Sequence, residues 1–228
     1  MNPFEARWRE LGLWPRWLQR GANRGQTPIS PISPILGSDP KPKSGSDPTW
    51  AALQTQVDGC TQCPLHQSRQ KTVMGSGDPN AQWFFVGEGP GEEENSSGKP
   101  FMGPAGQLLD QMLRSLGLQR DVGVYLTNAV KCAPPQNRSP HALECSACRP
   151  FLQQQIALIQ PKVIVALGRV AAQSLLGVDG TLSALREQEH RLGSIPVVVT
   201  WHPSYLIRSP VDKARSWEDL CRARGFVG

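Results

Sequence analysis

Four short runs in this 228-residue chain place polar or glycine-rich residues just after an apolar segment. Gly87-Glu88-Gly89-Pro90-Gly91 follows Trp83 to Val86, and Asn128 follows Val124 to Thr127. Gly168-Arg169 follows Val163 to Leu167, and His202-Pro203-Ser204 closely follows Pro196 to Thr200. Singly, each is ordinary: Gly-Pro-Gly is usually a loop, an Asn there usually caps a helix, and His-Pro usually turns the chain. Together they offer a carboxylate, a side-chain amide, an imidazole and a hydroxyl. That set can hydrogen-bond a polar ligand and stabilise charge that develops on it.

The cysteines form a second constellation. Cys60-Thr61-Gln62-Cys63 is a C-x2-C pair, and Cys132 and Cys148 are separated by fifteen residues. Cys145 also makes a C-x2-C with Cys148, and Cys221 stands apart near the C-terminus. Thiolates three apart can share one metal centre that a second pair completes, so zinc and a [4Fe-4S] cluster both suit the residue types. The 68 residues between Cys63 and Cys132 make the pattern unlike a compact zinc ribbon. Cys221 reads as a packing residue.

These groups act together only if the elements carrying them converge. Strands are expected at Trp83–Val86, Val124–Thr127, Val163–Leu167 and Pro196–Thr200, each a nearly continuous apolar run. Helices are expected at Pro104–Leu116, Pro140–Ile159, Val170–Leu176 (closed by Gly177) and Val211–Arg224. Pro104 suits a first helical position, and Leu108, Leu109, Met112, Leu113 and Leu116 share one face. Strands apolar on both faces, alternating with helices, predict an α/β fold: three layers, α/β/α, around a mostly parallel sheet. Ligands bind such sheets beyond the carboxyl ends of the strands, which would bring all four polar runs to one rim.

Ahead of this domain, expected to span residues 49–228, the composition changes. Phe4, Trp8, Leu11 and Leu13-Trp14 recur near helical spacing, predicting a short helix within residues 1–25. Residues 26–48 are rich in Pro, Ser and Gly and read as an extended linker. Residues 1–47 hold seven Lys/Arg against four Asp/Glu, whereas the other 181 hold 17 against 15. The net charge of +5 therefore sits largely outside the domain, and a bulk-charge case for nucleic-acid binding is weak. No apolar run approaches the roughly 20 residues of a membrane span, and the opening MNPFEARWRE lacks a signal peptide's apolar core. A cytoplasmic, reducing setting (nucleoid-associated in a bacterium) and a monomer are the expectations, with no membrane partner.

The strings VGEGPGEEENSSGKPFMGPAGQLLDQML, YLTNAVKCAPPQNRSP, CRPFL and TWHPSYLIR resemble the family 4 uracil-DNA glycosylases, the iron–sulfur branch of that superfamily. The likeness runs from about Thr49 to the last helix and leaves residues 1–48 outside it. It implies a [4Fe-4S] cluster on Cys60, Cys63, Cys132 and Cys148, without Cys145 among the ligands; a set in which Cys145 replaces one of them stays physically open. It also implies excision of uracil from single- or double-stranded DNA, leaving an abasic site for base excision repair.

Under that resemblance the residues take specific roles. Uracil must leave the helix stack before its glycosidic bond can break. His202 would donate to the oxyanion of the departing base, and Asn128 would read its N3–H and O4. Phe101 would stack on the base, with Gly87, Gly89 and Pro90 admitting it to close backbone contact. Glu88 is the nearest candidate to position the water, because Gly89 stands where other branches of the superfamily carry Asp. Glu94 is second, or lines the pocket against a 5-methyl group; Glu92 and Glu93 suit a solvated turn equally well. Ser204 and Arg208 would hold phosphates, Leu206 or Tyr205 would wedge into the vacated stack, and Lys131, Arg138 and Arg169 could add phosphate contacts. Relatives that trap uracil DNA covalently carry a basic, His-containing insertion after Asn-x-x-Lys. AVKCAPPQNRSPH has none, so turnover is expected over a uracil-trapping binding module. A redox or nucleotide-binding protein of doubly wound fold would explain the glycine turn but neither HPSYL nor the cysteine spacing. Residues 1–48 could tether a repair or replication partner.

Overall fold

A computed structural model describes residues 49–228; the helix expected within residues 1–25 and the linker over 26–48 lie outside the described residues. Six strands form one sheet in the order β1-β3-β2-β4-β6-β5. The four central strands are β2 (Trp83–Gly87), β3 (Val124–Asn128), β4 (Val163–Leu167) and β6 (Ile195–Thr200), all mutually parallel. The short edge strands β1 (Ser76–Gly77) and β5 (His190–Leu192) run antiparallel.

Strand period decides which side chains meet which layer. On one face Phe84, Val86, Tyr125, Ile164, Ala166, Val197 and Val199 pack against α4 (Ala142–Ile159) and α5 (Arg169–Leu176). On the other, Trp83, Phe85, Val124, Leu126, Val163, Val165 and Val198 pack against α3 (Pro104–Ser115) and α8 (Lys213–Arg224). The expected three-layer fold is the observed one. The β2 register sets Gly87 beside Asn128, so the ends of the two central strands are level. Antiparallel edges went unforeseen because two or three residues show no periodicity.

Four helices also went unforeseen. α1 (Trp50–Asp58) is capped by the Thr49 hydroxyl, which accepts from Ala52 N–H. α2 (Glu92–Ser97) occupies the acidic run that could equally have been a turn. α7 (Pro203–Arg208) starts with Pro203 in its first turn and uses the His202 side chain as its cap. The short α6 (Leu182–Glu187) completes the set. No helix among the described residues is long and apolar enough to cross a membrane.

Candidate active site

Beyond the carboxyl ends of β2, β3 and β6 lies a cavity of about 400 Å³, lined by Glu88, Gly89, Pro90, Glu94, Phe101, Asn128, His202, Ser204 and Arg208, among others. Three of the four polar runs therefore line one cavity. The fourth supports it from below: Gly168, at φ +92, leaves room for His202, whose Cβ would lie 3.2 Å from a Cβ at that position. Gly87 does not line the cavity either. A Cβ on it would fall 2.3 Å from Asn128 Oδ1 and 2.6 Å from the Phe101 ring, so this glycine makes space for both side chains. Gly89 has a different reason: its missing Cβ would press on Val130 at 2.9 Å. Glycine is needed there for packing between loops, not only for close approach to a ligand.

His202 is held by the helix it caps. Its Nδ1 accepts from Ser204 N–H at 3.2 Å and lies 2.8 Å from the Ser204 hydroxyl. A ring nitrogen that accepts carries no proton, which leaves the hydrogen on Nε2. Burial, reinforced by the nearby Arg208 charge and opposed by Glu94, pushes the His202 pKa down to about 4. The ring is thus a neutral donor at pH 7. Ser204, expected to hold a phosphate, spends its hydroxyl on this ring.

Asn128 is only 2% exposed, yet no hydrogen bond from the described residues engages its side-chain amide. Its backbone carbonyl is instead gripped by Lys131 Nζ at 2.8 Å, and the same ammonium donates to Thr127 Oγ1 at 2.6 Å. Lys131, 1% exposed, therefore corrects the expectation of a phosphate contact: it braces the end of β3 from inside. Burial lowers its pKa to about 8. Arg138 does line the cavity, where Glu144 holds it through two hydrogen bonds at 2.6 and 2.8 Å.

Glu88 lines the cavity and its carboxylate has no hydrogen-bond partner among the described residues. Glu94 is the opposite case. One oxygen accepts from Gly91 N–H at 2.9 Å and the other from Met102 and Gly103 N–H at 2.8 and 3.3 Å. It clamps the glycine turn to the loop carrying Phe101, which leaves Glu88 the freer of the two carboxylates. Phe101 sits in the left-handed region at φ 56, a conformation costing about 1–3 kcal/mol for such a residue. Its ring lies 6.1 Å from the His202 ring, the two planes inclined by 28°.

Leu206 requires a correction. It is 1% exposed and part of the packing under α7, so it cannot reach a base stack without leaving the core. The neighbouring exposed apolar side chains are Tyr205 and Ile207. Sequence could not separate these three, because a six-residue helix shows too little periodicity to fix its buried face.

A second cavity lies at one end of α1 and α4. Cys60, Cys63, Cys132 and Cys148 all line it, together with apolar Val57, Leu65, Val130 and Phe151. All six cysteines are free of disulfides, and Cys145 does not line this cavity. Two donors point at its sulfurs: Arg69 Nη1 to Cys132 at 3.1 Å and Lys131 N–H to Cys148 at 3.3 Å. Burial raises the thiol pKa of Cys132, and that of Cys148 to about 11, which are the costs a bound cation would offset. No group of three His, Cys, Asp or Glu among the described residues is placed to hold a single metal ion. Four sulfur donors lining one cavity, two of them receiving N–H···S hydrogen bonds, are the kind of donor set an iron–sulfur centre takes. Arg69 was not singled out from sequence; only the tertiary contact reveals it.

Residues 74–221 match the model of the uracil DNA glycosylase superfamily, and the chain belongs to that family. Within it, the type-4 uracil-DNA glycosylase of Thermotoga maritima is 44% identical over 77% of this chain and 93% of its own length. The type-4 enzyme of Sulfurisphaera tokodaii is 41% identical, covering 75% of this chain and 82% of its own. That of Pyrobaculum aerophilum is 38% identical over 74% and 89%.

Proposed function

We propose that this chain extracts uracil from DNA and hydrolyses its N-glycosidic bond, releasing the free base and leaving an abasic site. The observation that carries this reading is one cavity holding a neutral, Nε2-protonated His202 and an unengaged Asn128 amide. Cleavage leaves negative charge on the uracil oxygen and positive character on the sugar. A neutral imidazole N–H stabilises the former without the penalty of a buried cation beside Arg208. Asn128 offers both a donor and an acceptor, matching the O4 and N3–H edge of uracil; the amino group of cytosine reverses that pattern. Phe101 stacks on the flipped base, and the unpartnered Glu88 positions the attacking water. Arg208, at the cavity mouth, contacts a phosphate. Tyr205 or Ile207 enters the vacated stack in place of Leu206.

The same reading puts a [4Fe-4S] cluster on Cys60, Cys63, Cys132 and Cys148, supported by their shared cavity and its N–H donors. Bound there, the cluster would tie the end of α1 to the segment after Asn128.

The test is direct. Purified protein is incubated with excess uracil-containing oligonucleotide, single-stranded or paired, and abasic sites are cleaved with alkali. Multiple turnovers with free uracil released are expected. A denaturant-resistant protein–DNA adduct would indicate trapping instead, and unaltered DNA would overturn the proposal.

A pH profile probes His202 separately. With its folded pKa near 4 against about 6.5 when unfolded, the unfolded chain binds an extra proton between those values. This group's contribution to stability is therefore complete above about pH 6.5 and lost as pH falls toward 4. The excision rate constant should stay level from pH 8 to about pH 5 and fall only near pH 4. An acid limb centred near 6.5 that vanishes in His202→Ala would remove the low-pKa assignment.

A further inference from the structure

We infer that Arg120, outside the cavity, is a positioning residue that sets the stacking ring of Phe101; this rests on the proposed role of that ring. The guanidinium lies within 3.3 Å of three backbone carbonyl oxygens, those of Pro100, Phe101 and Gly106. Its Nε donates to the Asp110 carboxylate on α3, which anchors the fork to the helix. Gly106 completes the arrangement: a Cβ there would fall 1.8 Å from Phe101 O, so only glycine lets that carbonyl rest against α3.

The purpose of this network follows from the backbone of Phe101. At φ 56 the residue is in a conformation that a bulky side chain adopts only when its surroundings impose it. Glu94 holds the N–H groups that follow, Met102 and Gly103. Arg120 holds the carbonyls on the other side. Between the two, the chain around Phe101 cannot rotate, and its ring stays between Gly87 and His202. Because all four bonds of the guanidinium go to internal acceptors, Arg120 acts on the base through Phe101 and not as a phosphate contact. A lysine would keep the charge but lose the planar fork that spans three acceptors.

Three variants measured together test this: Arg120→Lys, Phe101→Ala and the double. The readouts are the inhibition constant of free uracil, single-turnover excision and Tm. Base–aromatic stacking supports an expected rise of about tenfold in the uracil inhibition constant for Arg120→Lys, with slower excision. In the Phe101→Ala background the same substitution should add little, the mark of two residues acting as one unit. An unchanged inhibition constant in Arg120→Lys while Phe101→Ala raises it, or full additivity in the double variant, would overturn the inference alone. If Phe101→Ala itself leaves uracil inhibition unchanged, the stacking role falls and the inference with it. Should Arg120→Lys fail to fold, Asp110→Asn, which frees the guanidinium from its anchor, should raise the constant about threefold; no change would overturn the inference.

Discussion

His202→Ala is expected to lower the single-turnover excision rate by about 10²–10³-fold, the usual cost of deleting one donor to a developing oxyanion. The magnitude depends on preorganisation. Nδ1 is fixed by the Ser204 N–H, so Nε2–H needs no reorientation as charge develops on the base. The loss should appear in the chemical step, with affinity for substrate DNA nearly unchanged, because the substrate carbonyl is a weaker acceptor than the anion it becomes. His202→Gln, which returns an N–H but on a flexible stem, should recover only part of the rate. Ser204→Ala removes a hydroxyl contact but keeps the backbone donor, and so should cost far less than His202→Ala. A full rate in His202→Ala would remove this residue from the chemistry. Glu88→Gln separates the other half of the reaction, since it leaves the anion site intact and weakens only the handling of water.

Cys132→Ala is the second large effect, and it reads on stability. At the proposed cluster, ligand-binding energy is folding energy, and loss of one of its four thiolates should remove most of it. Iron content and visible absorbance should fall sharply. Tm should drop by roughly 10 °C or more, given about 2–4 °C per kcal/mol for a chain of this size. Cys145→Ala and Cys221→Ala are the controls: neither lines the cavity, and both should retain iron. Retained iron in Cys132→Ala would take that residue out of the ligand set, and lost iron in Cys145→Ala would bring Cys145 into it. Cys132 lies four residues after Asn128, and Lys131 touches both regions through Cys148 and the Asn128 carbonyl. Collapse of the cysteine corner should therefore also slow excision.

Much of this architecture is legible from residue types. Apolar runs such as Val163 to Leu167 can only be central strands covered on both faces, because no polar face remains for water. Parallel strands then send the residues that follow them to one rim, which is why Glu88, Asn128 and His202 were foreseeable as neighbours. The four cysteines of the shared cavity were foreseeable as a set from the family resemblance. Edge strands and the six-residue helices were not, since two to six residues carry too little pattern.

What sequence by itself determined is the inventory and its order: which strands build the sheet and which chemical groups stand at their ends. Tertiary structure alone decided how each group is used. It buried Leu206 and Lys131, spent Glu94 on three backbone N–H groups and left Glu88 unpartnered. It also brought Arg120 to the backbone of Phe101 and Arg69 to Cys132. The physical reason is that strand and helix periods are local and visible along the chain. Whether a polar side chain faces a ligand or another part of the protein depends on partners distant in sequence, and only packing brings them together.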